Sequence, residues 1–367
     1  MPSARWIRAA EAALSSETEN LPVHLSPIIY GCSEFVLQPD ERAFFKDASP
    51  AGFILFKKNC DNPDQVKMLV DELRTCVGWN VPILIDQEGG RVQRLRPPHW
   101  HDFPAPRKFG DLFQKDQDNG KDALILAVTA LCQEQTALGI DVNCIPCLDV
   151  VPFDNNTTAI GDRCFASDGT TVADLGLLVA ETALQCGVTP VMKHMAGHGR
   201  AVVDSHFALP HVDTKTEILN KTDWYPFRHL TANFSQPYAL WGMSAHIIFD
   251  DIDPELPGTL SPVVTHDIIR GNFGFKGLLC TDDLFMDALK PYGDVPARVA
   301  KALEAGIDLA LHCHGTVEER EKALNAAGEM RTDTRDCFEA WHMTRKPAPE
   351  AVKPVDRLLS EVAELLG

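Results

Sequence analysis

Short apolar runs alternate with stretches of helical period along most of this chain of 367 residues. Eight runs are brief and nearly continuous: PIIYG (27–31), GFILF (52–56), VPILID (81–86), DVNCIPCLDV (141–150), GVTPVM (187–192), YALWGMSAHI (238–247), GLLCT (277–281) and IDLALH (307–312). Runs of this kind read as strands buried on both faces. Helical periodicity spans 64–77, 121–138, 171–186, 295–305 and 317–330, and the stretch 261–271 opens with Ser-Pro, a favoured cap and first-turn pair. Strands that alternate with helices give an α/β protein with a parallel sheet covered by helices. Eight such units over about 320 residues predict a single (β/α)8 TIM-type barrel rather than an open doubly wound sheet. No G-x-G-x-x-G opens the first unit, which argues against a dinucleotide fold. Residues 1–25 are expected to form an N-terminal extension with a short amphipathic helix at 5–15. The barrel domain is expected over 26–367, with 332–367 as extra C-terminal helices on its outside.

Unusual polar residues gather where the apolar runs end: Asp86, Asp149, Lys193 with His194, Ser244 to His246, and Thr281-Asp282-Asp283. In a barrel these ends converge on one face, however far apart they lie in sequence. One Asp after a strand is as well read as a helix cap, but five sets on one rim point to a site. The densest stretch is KHMAGHGRAVVDSH (193–206), which follows the fifth run and is expected to be a loop loosened by Gly197 and Gly199. Asp204-Ser205-His206 places an acid two residues before an imidazole. Such an acid fixes the imidazole tautomer and stabilises the imidazolium, which suits passing a proton both ways near neutral pH. No serine stands in a G-x-S-x-G setting, which argues against acyl transfer. His194 and His198 have H-x3-H spacing, a metal-ligand spacing only on a helix, and the two glycines argue against one; no metal site is expected.

The net charge of −18 argues against nucleic acid or an anionic membrane as the main partner. The 11 cysteines are odd in number, and Cys32, Cys60, Cys76, Cys132, Cys186 and Cys280 sit in or beside apolar runs, as reduced, core-packed thiols do. Cys144-Ile145-Pro146-Cys147 has CxxC spacing, but it stands alone inside a strand-like run and is expected to pack. The N-terminus has no continuous apolar core, and no run approaches the roughly 18 apolar residues that span a bilayer, so a cytoplasmic protein without membrane contact is expected.

The segments DQEGGRVQR (86–94), IGDRCF (160–165), KHMAGHG…DSH (193–206) and GFKGLLCTDDLFM (274–286) resemble, in order and spacing, the signatures of glycoside hydrolase family three. They are similar in particular to its single-domain bacterial β-N-acetylglucosaminidases, the NagZ type, and the resemblance runs from about residue 27 to 315. The Asp-Ser-His triplet separates that branch from the family's two-domain β-glucosidases. The resemblance implies a retaining exo-β-N-acetylglucosaminidase (a β-N-acetylhexosaminidase) that forms a covalent glycosyl-enzyme and needs no metal or organic cofactor. It implies Asp282 as nucleophile, His206 as general acid/base and Asp204 as its dyad partner. It also implies that Asp86, Arg94, Arg163, Lys193 and His194 hold the hydroxyls and acetamido group of a non-reducing GlcNAc, and that His198 shapes the loop. The implied substrate is a small amino sugar, GlcNAc β-1,4-linked to anhydro-N-acetylmuramic acid with or without peptide, from peptidoglycan recycling. The enzyme is expected to act as a monomer or weak dimer. Met195-Ala196 stands where the family usually has Phe-Pro or Met-Pro, and a freer loop is expected from the missing proline. A phosphorylase using the same dyad, a β-glucosidase of the same family and a non-catalytic sugar-binding barrel stay open as alternatives.

Overall fold

A computed structural model describes residues 21–152, 160–201, 209–351 and 353–367. The helix expected at 5–15, and Asp204 and His206, lie outside the described residues. Eight parallel strands form a closed barrel: β1 Ser26–Gly31, β2 Pro50–Leu55, β3 Ile83–Ile85, β4 Val142–Asn143, β5 Thr189–Met195, β7 Trp241–Ser244, β9 Leu279–Asp283 and β10 Leu309–His312. Neighbours around the barrel run β1-β10-β9-β7-β5-β4-β3-β2, and two short strands, β6 His211–Val212 and β8 Ile248–Phe249, pair beside it. Each of the eight apolar runs supplies one barrel strand. The interior residues are buried because helices cover the outside of the sheet, which is why the runs are apolar rather than alternating.

Two runs differ from expectation. DVNCIPCLDV yields only Val142–Asn143 as regular strand, because Pro146 offers no N–H to the ladder. The chain still follows β5: Lys193 N–H donates to Pro146 O at 3.0 Å and Leu148 N–H to Lys193 O at 2.7 Å. Conversely β5 does not stop at Met192 but carries Lys193, His194 and Met195 as strand residues. The expected loop therefore begins at Ala196 rather than at Lys193, and its first residues through Gly199 are buried. A lysine persists in the strand because its ammonium meets two carboxylates.

Helix starts follow local chemistry. The side chains of Asn62, Asp168 and Asp294 accept the amides of Gln65, Thr171 and Ala297, and Thr316 and Glu319 cap reciprocally. The Ser-Pro start leads into a π-helix, Val263–Asn272, with Ser261 Oγ accepting the Val264 amide at 3.3 Å. Short helices at Pro39–Ala48, Pro106–Lys115, Thr216–Lys221 and Tyr225–Asn233 were not predicted from periodicity.

The C-terminal helices Thr332–His342 and Val355–Leu366 pack on the barrel. Trp341 is fully buried, with its ring 4.8 Å from Trp241 of β7 and 5.1 Å from Phe338, and its Nε1 donates to Thr189 Oγ1 at 3.0 Å. Thr189 and Trp241 begin their strands, so these rings close the N-terminal end of the barrel and leave the C-terminal end to the polar residues. Burying each such ring stabilises the fold by roughly 1.5–3 kcal/mol. All eleven cysteines are free, and among the described residues no helix is long and apolar enough to cross a membrane.

Candidate active site

The loop after β3 begins at Asp86, and its first turn needs glycine. At Gly89, φ is +98° and an added Cβ would lie 2.4 Å from Pro104 O, so only glycine lets the chain fold back. The turn presents Asp86, Glu88 and Arg94 to the end of β5. Lys193 Nζ lies 2.8 Å from Asp86 Oδ1 and 2.6 Å from Glu88 Oε1. Arg94 Nη2 donates to Asp86 Oδ2 at 3.0 Å. Arg163, from the single turn Gly161–Arg163, grips both oxygens of Glu88 at 2.9 and 2.8 Å. Its Nη2 also stands 3.2 Å from His194 Nε2. On the other side of that ring, His194 Nδ1 is 2.6 Å from Asp149 Oδ2.

Burial alone would push these carboxyls up and the ammonium down. For Asp86 the charges of Lys193 and Arg94 outweigh burial and hold the carboxyl well below the usual carboxylate range. For Glu88, Arg163 and Lys193 outweigh burial and bring it down to about 2. Lys193, despite burial, is held above the ordinary lysine range by Asp86 and Glu88. The network is therefore ionised and mutually neutralised. Removing one member leaves an uncompensated buried charge, a loss of about 3–5 kcal/mol.

Asp282 and Asp283 end β9, half-buried. Burial pushes the Asp282 carboxyl up, but His246, His194 and the amide of Asp283 outweigh it and leave it below its ordinary value. That amide donates to Asp282 Oδ1 at 2.7 Å. Asp86 acts on the same carboxyl in the opposite sense, so the ends of β3, β5 and β9 meet electrostatically at Asp282. Asp283 behaves differently: burial, with the adjacent Asp282 charge, pushes it up to about 6 although the Phe285 amide opposes this. His246 spans between Thr259 Oγ1 at 2.8 Å and Asp283 O at 3.0 Å, bracing the end of β9.

Asp86, Arg94, Arg163, Lys193, His194 and Asp282 thus lie together at one rim, while Asp204 and His206 lie outside the described residues. Arg94 Nε is buried with no partner among the described residues, while the guanidinium lies 5.5 Å over the Phe56 ring. Glu88 and Asp149 were not singled out as site residues from the sequence. Glu88 was visible as the second acid of DQEGG, and Asp149 as a run-ending acid, but their partners are distant in sequence.

Residues 31–335 match the model of the glycosyl hydrolase family 3 N-terminal domain. The chain belongs to glycoside hydrolase family 3. It is an enzyme of that family, a glycoside hydrolase on a TIM-type barrel. A β-hexosaminidase of Aromatoleum aromaticum is 32% identical over 291 residues, covering 79% of this chain and 80% of the relative. One of Actinobacillus succinogenes is 33% identical over 317 residues, covering 86% and 88%. Among solved structures, NagZ from Neisseria gonorrhoeae in complex with N-trifluoroacetyl-D-glucosamine superposes with a TM-score of 0.82 at 26% identity, covering 94% of this chain and 99% of that one.

Proposed function

We propose that this family 3 enzyme is a retaining exo-β-N-acetylglucosaminidase that removes non-reducing GlcNAc from cell-wall muropeptides in peptidoglycan recycling. The observation that carries the reading is Asp282 at the end of β9, its carboxyl held below its ordinary value, beside the paired side chains of Lys193, Asp86 and Glu88. A carboxylate in that state is a nucleophile, and the network offers donors and acceptors for the hydroxyls and acetamido group of one sugar. Asp86, Arg94, Arg163, Lys193 and His194 take that role. An N-acylated glucosamine in a structural relative and the β-hexosaminidase names of the sequence relatives support the amino-sugar preference.

In the first step Asp282 forms a bond to the anomeric carbon as His206, oriented by Asp204, gives its proton to the leaving oxygen. In the second, His206 takes a proton from water, whose oxygen displaces Asp282 and releases β-GlcNAc. Attack from one face followed by attack from the other retains configuration. The anhydromuramic aglycone, the cytoplasmic setting and a monomer or weak dimer complete the proposal.

Proton NMR of the purified protein acting on an aryl β-GlcNAc, with and without phosphate, tests it. β-GlcNAc is expected as the first product in both conditions, with the aryl β-glucoside turned over more slowly. An α-anomer formed first contradicts a double displacement, GlcNAc-1-phosphate indicates a phosphorylase, and faster glucoside turnover indicates a β-glucosidase.

A further inference from the structure

Asp149 is fully buried past the end of β4, and the mechanism above gives it nothing to do. Its carboxylate nonetheless collects four donors. Oδ2 faces His194 Nδ1 at 2.6 Å and the Cys147 thiol at 3.2 Å; Oδ1 takes the amides of His198 at 2.6 Å and His194 at 3.4 Å. Burial pushes this carboxyl up, but the hydrogen bonds it takes from His194 Nδ1 and the His198 amide help hold it well below the usual range.

Cys147, Asp149 and His194 are also a group of possible metal donors within 4.8 Å of one another. Their geometry is committed elsewhere. Two ligands on one tetrahedral zinc ion stand about 3.3 Å apart, whereas His194 Nδ1 and Asp149 Oδ2 are at 2.6 Å. The Arg163 guanidinium, 3.2 Å from the other ring nitrogen, adds a cation where an ion would need none. The cluster is a hydrogen-bonded triad.

An ionised carboxylate only accepts, so the proton between it and the imidazole sits on Nδ1. Nε2 then offers its lone pair to the Arg163 N–H. The opposite tautomer would set an N–H of the ring against an N–H of the guanidinium and dislodge Arg163, which also grips Glu88 and, through it, Lys193. We propose that Asp149 is a positioning residue for glycoside hydrolysis: it selects the Nδ1–H tautomer of His194 and thereby sets Arg163 and the sugar-binding network. This rests on the functional reading above for the sugar's place, but the tautomer itself does not.

The side chain of Asp149→Asn keeps shape and loses the charge. Histidine-labelled 15N spectra of the full chain should report His194 as Nδ1–H in the wild type and as Nε2–H or a mixture in the variant. Loss of kcat/KM on an aryl β-GlcNAc should be about 10–100-fold, on the scale seen when a metal-bound histidine loses its supporting carboxylate. It should appear mainly in KM, because the groups displaced are those proposed to hold the sugar. A wild-type His194 carrying its proton on Nε2 overturns the proposal even if the variant fails to fold. So does a folded variant with the parental tautomer and kcat/KM within about twofold. If no glycoside is turned over by the wild type, the functional reading falls while the tautomer result still decides the role of Asp149.

Discussion

At the N-terminal end of the barrel the rings of Trp241, Phe338 and Trp341 pack against one another, and the Trp341 indole donates to Thr189. At the C-terminal end Glu88, Asp149 and Lys193 are buried and Asp86 and Arg163 partly so, every one of them in an ion pair or a hydrogen bond to a neighbouring charge or imidazole. The aromatic end gains stability from each contact it makes. The ionic end has desolvation working against every charge, and its members must all be present for any to be tolerable. One end holds the barrel shut, and the other spends stability on groups whose value lies in meeting a ligand.

That contrast is open to attack from both ends. The largest expected effect is on rate: Asp282→Asn should lower kcat by at least about 10⁴-fold, as loss of a nucleophile does, with the thermal midpoint unchanged or raised. A midpoint that falls sharply would make Asp282 structural. At the other end, Trp341→Ala should cost about 3–5 kcal/mol in denaturant unfolding, with KM of the folded fraction unchanged. A changed KM there would mean the two ends are not separable. Glu88→Gln sits between them. It leaves Lys193 and Arg163 short of a counter-charge, and is expected to cost about 3 kcal/mol and to raise KM together.

The smallest effect is on pH. Burial depresses His198 to about 4, and burial, with Arg320, depresses His312 to about 4. The unfolded value is about 6.5. A base whose folded pKa is depressed favours folding fully above the unfolded value, and that contribution is lost as pH falls from about 6.5 toward 4. Each imidazole accounts for up to about 3 kcal/mol over that window. Both ring nitrogens of His312 lack hydrogen-bond partners among the described residues, so His312→Phe should leave stability near pH 7 little altered and make its decline between about pH 6.5 and 4 shallower. Urea unfolding at several pH values decides this, and an unchanged slope contradicts it.

The barrel was legible in the sequence because burial on both faces leaves continuous apolar runs, and eight of them alternate with helices. The rim was legible because charged residues at strand ends have no packing reason to be there. Less was readable where the cause is tertiary. Nothing local says that Lys193 stays in its strand, because what retains it are Asp86 and Glu88, about a hundred residues earlier. The irregular path of 144–150 reflects Pro146, a visible signal that the apolar run masked. Asp149 read as one more run-ending acid, since His194 and the amide of His198 reach it only after β4 and β5 pair.

The most direct measurement is covalent trapping with a 5-fluoro-GlcNAc fluoride, followed by peptide mapping of the labelled protein. The account predicts a single sugar adduct on Asp282, within the peptide that contains Thr281-Asp282-Asp283. An adduct on Asp283 or on any other residue would contradict it.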